Sequence, residues 1–166
     1  VMTYPSLRII EEIKKELPLE FPYIPTLLTF REGPVLLECF LSLREKVDLI
    51  MFDGQGIAHP RSMGLATHLG ILLSTPAIGC AKSRLTGNYK EPGIKKGSYS
   101  YIKDRSGRII GAALRTRDKV KPVFVSPGYR INLRDSIDIV LRCTGKFRIP
   151  EPLRYAHTLG KNGREK

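Results

Sequence analysis

The 166 residues predict an α/β fold, and three observations carry that expectation. Two short apolar runs, LIMF at 49–52 and PAIGCA at 76–81, read as buried strands, and each is followed at once by a polar residue, Asp53 or Lys82. A helical pattern precedes each run. In the second half SYSYIK and RIIGAALR alternate across the turn-like DRSG, and PVFVSPG supplies a further short strand. Helix, apolar strand and polar strand tip in repetition indicate helices layered on a sheet.

Residues 6–17, SLRIIEEIKKEL, suit a short helix or a strand equally, because periodicity does not separate the two. FPYIPTLLTFREGP follows at 21–34. Proline fixes its own φ and pushes the residue before it toward extended geometry, so Pro22-Tyr23-Ile24-Pro25 is expected to hold its side chains out stiffly. Pro34 suits the first turn of a helix whose apolar stripe is Val35, Leu36, Leu37, Phe40, Leu41 and Leu43. The run at 49–52 ends at Asp53, and ligands of open sheets gather at the carboxyl ends of strands. SMGLATHLGILLS, 62–74, reads as the next helix, with Gly64 and Gly70 permitting close approach of backbone or ligand. Asn132 is placed to cap a helix running to Cys143, with Asp135 three residues on. Pro150 and Pro152 introduce a last helix containing His157. A single domain over 1–159 is expected, with the tail GKNGREK, 160–166, disordered.

Charge divides the chain. Residues 1–81 carry 7 basic and 9 acidic groups, a net −2, and residues 82–166 carry 21 and 7, a net +14. Carboxylates concentrated in one half and cations in the other suit a polyanion held against a metal centre; a merely solvated basic surface is the plain alternative. No apolar run approaches the roughly 20 residues of a membrane helix, and a cytoplasmic protein without a membrane partner is expected. Cys39, Cys80 and Cys143 lack a C-x-x-C spacing and read as free thiols.

Glu32 at an expected helix start either answers the helix dipole or serves a site. Asp53 closing an apolar run needs a partner to offset its burial. Together they suit a magnesium ion, which takes hard oxygen ligands, with His59 and Lys82 nearby as phosphate or transition-state contacts.

Five ordered stretches, FPYIPTLLTFREGP, FDGQGIAHPRSMGLATHLG, GCAKSRL, PVFVSPG and RIPEPLRYAH, resemble the endonuclease V family of deoxyinosine-directed repair nucleases. The resemblance implies a ribonuclease H-like mixed sheet with helices on both faces. It implies hydrolysis of the second phosphodiester bond 3′ to a deoxyinosine in DNA, with Mg2+ or Mn2+ as cofactor. Metal ligands fall on Glu32 and Asp53, further catalytic residues on His59, Lys82 and His157, and a DNA wedge on Pro22, Tyr23, Ile24 and Pro25. The wedge fills the gap left by a turned-out base, for which Gly54, Gly56, Gly64 and Leu85 line the pocket.

The resemblance also implies a first strand ending in a metal-binding aspartate, upstream of the Tyr-Pro pair that is Tyr4-Pro5 here. The expected domain is therefore N-terminally truncated, with two of three metal carboxylates, and the 166-residue form is expected to cut poorly or not at all. An inosine-binding protein without catalysis and an inosine-specific ribonuclease acting on RNA are the alternatives, and oligomeric state is left open.

Overall fold

The computed structural model describes residues 1–161. In chain order it forms α1 (Leu28–Leu41), β1 (Ile50–Phe52), α2 (Leu65–Leu72), β2 (Ala77–Ala81), β3 (Tyr99–Lys103), β4 (Ile109–Leu114), β5 (Val123–Tyr129), α3 (Leu133–Arg142) and α4 (Glu151–Lys161). The five strands make one mixed sheet of order β1-β2-β5-β4-β3. β1 runs parallel to β2, and every other pairing is antiparallel.

Alternate residues of the strands feed the two faces, as strand geometry requires. Ile78, Cys80, Ala112, Leu114, Val123 and Val125 pack against Ile137 and Val140 of α3 and Leu153 of α4. On the other face Leu65, Ala66 and Leu69 of α2 meet Phe52 and Ala77, and Leu28 and Leu36 of α1 close over that cluster. A third cluster joins Ala58 to Ala81, Ile102, Ile110, Ala113 and Phe124. β2 is buried along its whole length, as its apolar run predicts. β1 departs from that expectation: with β2 as its one partner among the described residues it stands at the edge of the sheet, and Ile50 and Met51 are only half-buried.

Four local expectations are corrected. Residues 6–17 form neither helix nor strand; near them Met2 and Ile9 make an isolated bridge, and Leu7 takes a left-handed φ of +54°. Helix α1 begins six residues before Pro34, so the proline sits inside it. An interior proline removes one ladder bond, and packing carries the helix past it: Gly33 is buried, and a Cβ there would lie 3.8 Å from Leu69. The second helix starts at Leu65 rather than 62, after Ser62 in a left-handed turn at φ +51°. Gly160 and Lys161, expected in the tail, continue α4; the rest of that tail lies outside the described residues. The cap on α3 forms as expected, with Asn132 Oδ1 accepting from the Asp135 N–H at 2.9 Å.

A candidate metal-dependent nuclease site

The parallel strands β1 and β2 end side by side, and Asp53 and Lys82 follow them at once. Lys82 Nζ donates to Asp53 Oδ2 at 2.5 Å, and both side chains are close to half exposed. Glu32 comes from α1, where it is the fifth helical residue rather than the first-turn acid expected of it, so the helix-dipole reading falls away. Glu32 is exposed, and its carboxyl is nonetheless raised from the usual range, first by partial desolvation and second by the negative charge of Asp53, while Arg31 and Lys82 pull it back. Two carboxylates from distant points of the chain thus feel each other beside a lysine. Among the described residues no third histidine, cysteine or carboxylate joins them to make a larger metal-binding group.

The backbone of Lys82 is held by Arg148, a residue that no sequence pattern singles out. Its Nη2 donates to the Lys82 carbonyl at 2.7 Å and to the Pro122 carbonyl at 2.8 Å, while its buried Nε has no partner among the described residues. The only signal in the sequence is its place ahead of Ile149-Pro150 in one of the five stretches. Beneath the site Cys80 is buried, and burial pushes its thiol up to about 12.

His59 is buried, and both ring nitrogens are engaged. Nδ1 accepts the Arg61 N–H at 3.2 Å, which leaves the proton on Nε2 to be donated to the Thr26 carbonyl at 3.1 Å. Burial lowers its pKa, favouring this neutral form. Arg61 Nη1 also donates to Thr26 Oγ1 at 3.1 Å. Thr26 needs such a clamp: it is β-branched yet sits at φ +70°, a conformation that such residues adopt only under constraint. Just upstream, Pro22, Tyr23, Ile24 and Pro25 are all exposed, Tyr23 at 69%. Arg31 Nη1 holds the foot of this loop through the Phe21 carbonyl at 2.9 Å. The expected wedge is therefore a projecting aromatic loop anchored at both ends.

Of the expected pocket residues, Gly54, Gly56 and Gly64 are buried on the segment between β1 and α2, and Leu85 is exposed in the loop after β2. Glycine is required where this segment crosses the sheet: a Cβ on Gly56 would lie 2.0 Å from the Pro127 carbonyl oxygen, and one on Gly64 2.3 Å from that of Gln55. The N–H groups of all three are already used, Gly54 on the Phe52 carbonyl, Gly56 on Ser126 Oγ and Gly64 on the Gly56 carbonyl. His157 lies exposed on α4.

Comparison with known proteins agrees with this geometry. The sequence profile of the family described as Endonuclease V matches residues 1–158. Endonuclease V of Dictyoglomus turgidum is 52% identical over 161 residues, which cover 97% of this chain and 70% of that protein. The crystal structure of the Bacillus subtilis Endonuclease V superposes with a TM-score of 0.93 at 34% identity, covering 98% of this chain and 70% of the other. That of Ciona intestinalis Endonuclease V in complex with a 24mer DNA containing an inosine followed by a ribo-adenosine gives 0.85 at 31% identity, covering 98% and 75%. The chain belongs to the endonuclease V family and has its ribonuclease H-like α/β fold.

Proposed function

We propose that this endonuclease acts at deoxyinosine and hydrolyses the second phosphodiester bond on its 3′ side, with Glu32 and Asp53 sharing a magnesium or manganese ion. The observation that carries the reading is the meeting of those two carboxylates beside Lys82. Their donor set suits a hard cation, since it offers oxygen ligands alone, and a divalent ion would relieve both causes that raise the Glu32 carboxyl, desolvation first and the charge of Asp53 second. Such an ion supplies positive charge at the reacting phosphate.

The chain's own residues do the rest. As a water oxygen adds to phosphorus and the bond to the leaving 3′ oxygen breaks, negative charge grows on the phosphoryl oxygens, and Lys82 Nζ is placed to offset it. Arg148 fixes the lysine backbone for that task. Tyr23 enters the stack where the lesion base has turned out. His59 serves by holding the wedge loop through Thr26, because contact with phosphate would break one of its two bonds. Gly56 and Gly64 keep the pocket wall thin, and Leu85 offers it an apolar surface. His157, exposed on α4, is the further catalytic residue that the family resemblance implies.

Asp53→Ala is expected to lower nicking of an inosine duplex by at least about a thousandfold, the scale on which losing one charge-stabilising group acts, while mobility-shift binding persists. Unchanged turnover removes Asp53 from the mechanism. Two further readings each have an observation behind them. A pair of carboxylates without a third partner favours an inosine-binding protein without catalysis, which predicts a shifted band, no product, and indifference to chelator. The ribo-adenosine in the Ciona complex favours RNA as a target, which predicts faster cutting of inosine RNA than of inosine DNA.

A further inference from the structure

The sheet register places three loops at the same end as Asp53 and Lys82. Ala81 pairs with Phe124, Val123 with Leu114, and Leu114 with Tyr99, so residues 82–98 and 115–122 both leave the sheet beside the site. Residues 144–150 join them through Arg148 and through Thr116 Oγ1, which donates to the Arg148 carbonyl at 2.7 Å. Eleven of the chain's 28 Lys and Arg residues lie in these three segments, against two acids, Glu91 and Asp118.

Both acids are exposed but engaged by groups of these loops. Arg115 is 6% exposed and donates to the carbonyls of Pro92 at 2.9 Å, Gly93 at 3.1 Å and Val120, and to Glu91 Oε1 at 2.7 Å. Asp118 Oδ1 accepts the Lys96 N–H at 2.7 Å and its Oδ2 the Lys95 ammonium at 3.4 Å. Backbone bonds complete the weld: Lys119 N–H to the Ile94 carbonyl, Arg115 N–H to Ser98, and Gly97 N–H to Arg115. A guanidinium is costly to bury unless its donors are satisfied, and here it fuses two loops into one rigid body. What that body presents outward is Lys96, Arg117, Lys119, Lys121 and Lys146, all exposed. Among the described residues none of these five is in an ion pair.

We propose that this Arg115-welded platform is a phosphate-backbone dock for the nucleic acid flanking the cut on one side. Like charges crowded on a rigid body repel one another unless a polyanion covers them, and the platform begins at the catalytic lysine. From β2 to β3 the sheet spans three strand spacings, about 14 Å. That is the length of about four phosphates along one B-form strand. The dock reads no base; it fixes register and supplies affinity. Arg115 is a positioning residue within it. The assignment rests on the nuclease reading for its direction from the site, but not on deoxyinosine as the lesion.

The test is binding by fluorescence anisotropy in chelator across a salt series, comparing wild type with the variant Lys96→Gln, Lys119→Gln, Lys121→Gln, Lys146→Gln. Three inosine duplexes are used, one with long flanks and one trimmed on each side, beside a lesion-free duplex. The variant is expected to lose about tenfold or more in affinity at 50 mM salt, and its salt slope to fall by about 0.9 for each phosphate no longer neutralised. Trimming one flank should abolish the difference between the proteins, and trimming the other should leave it. The lesion-free duplex should show the same loss. An unchanged slope, or a loss indifferent to both trims, overturns the dock even if inosine preference persists; loss of inosine preference with the slope change intact overturns the lesion reading and leaves the dock standing. Arg115→Lys, which keeps the charge but not the forked donors, should speed hydrogen exchange at 93–98 and 119–121 and lower the slope; protection equal to wild type denies Arg115 its role.

Discussion

The two edges of the sheet are built differently. At the β3 edge the flanking loops are tied by a buried arginine, an aspartate and reciprocal backbone bonds, beside an edge strand that is itself largely exposed and a neighbour, β4, that is buried. At the β1 edge a three-residue, half-buried strand borders an apolar groove of about 840 Å3, lined by ten of the first thirteen residues, by Leu36 and Phe40 of α1 with Leu43 just beyond it, and by Tyr155 and Leu159 of α4. The chain there has polar ties of its own, among them Ile10 N–H to the Val1 carbonyl, the Arg44 and Glu45 N–H groups to the Glu11 carboxylate, and the Tyr155 hydroxyl to Glu12. The site straddles this divide. Lys82 and Arg148 belong to the rigid side, whereas Asp53 ends the half-buried strand and Glu32 rides on a helix that reaches the sheet largely through α2. Charge is thus gathered on the arginine-tied side, and the carboxylates stand on the side of the short edge strand.

Thiol reactivity should separate the two regions most widely. With its thiol pushed up to about 12, Cys80 carries a thiolate fraction of about one in ten thousand at pH 8, and it is buried as well. Cys39 is half-buried and lines the groove. Iodoacetamide at pH 8 should modify Cys39 at least about a hundredfold faster than Cys80, read by peptide mass spectrometry. Comparable rates at the two would mean that the β2 core opens as readily as the groove.

Stability should divide the two sides next. Leu69→Ala, where α2 meets α1, should cost about 3 kcal/mol by urea unfolding and lower nicking beyond what the unfolded fraction accounts for, because α1 carries Glu32. Arg115→Ala should cost about 2 to 3 kcal/mol, since it strands three carbonyls but leaves Glu91 free to hydrate. Its chemistry at saturating substrate should hold while binding weakens. If Arg115→Ala slows the chemical step as much as Leu69→Ala does, the division between the sides is wrong.

Several of these features are legible in the residues and several are not. The strand tips are, because an apolar run interrupted by Asp53 or Lys82 leaves little choice of register, and so is the Asn132 cap, whose geometry is local. Residues 6–17 are not: their apolar side chains fit two periods, and the bridge they make among the described residues, Ile9 to Met2, is isolated and extends into no ladder that would select one. Pro34 misleads because a propensity for first turns is overridden by the packing of Gly33 against Leu69. The roles of Arg115 and Arg148 cannot be read at all. Each bonds carbonyls far away in the chain, and carbonyls carry no residue identity.

The smallest expected effect is on pH. His59 has its pKa lowered in the fold, so its contribution is intact above its ordinary value near 6.5 and is lost as pH falls toward the folded value. Protonation puts a second proton on the ring, and Nδ1 can no longer accept from Arg61. Hydrogen exchange at 23–27 should quicken modestly between pH 6.5 and 5, and His59→Asn should flatten that response. A loop equally protected over that range would free His59 from the clamp.

The most direct measurement is manganese binding followed by electron paramagnetic resonance in wild type, Glu32→Gln and Asp53→Asn. If the two carboxylates share one ion, each substitution weakens the same binding event, and the double variant weakens it at least as far as the worse single without revealing a second one. Full occupancy in both single variants at the wild-type concentration midpoint would place the cation elsewhere and leave the pair without its assigned purpose.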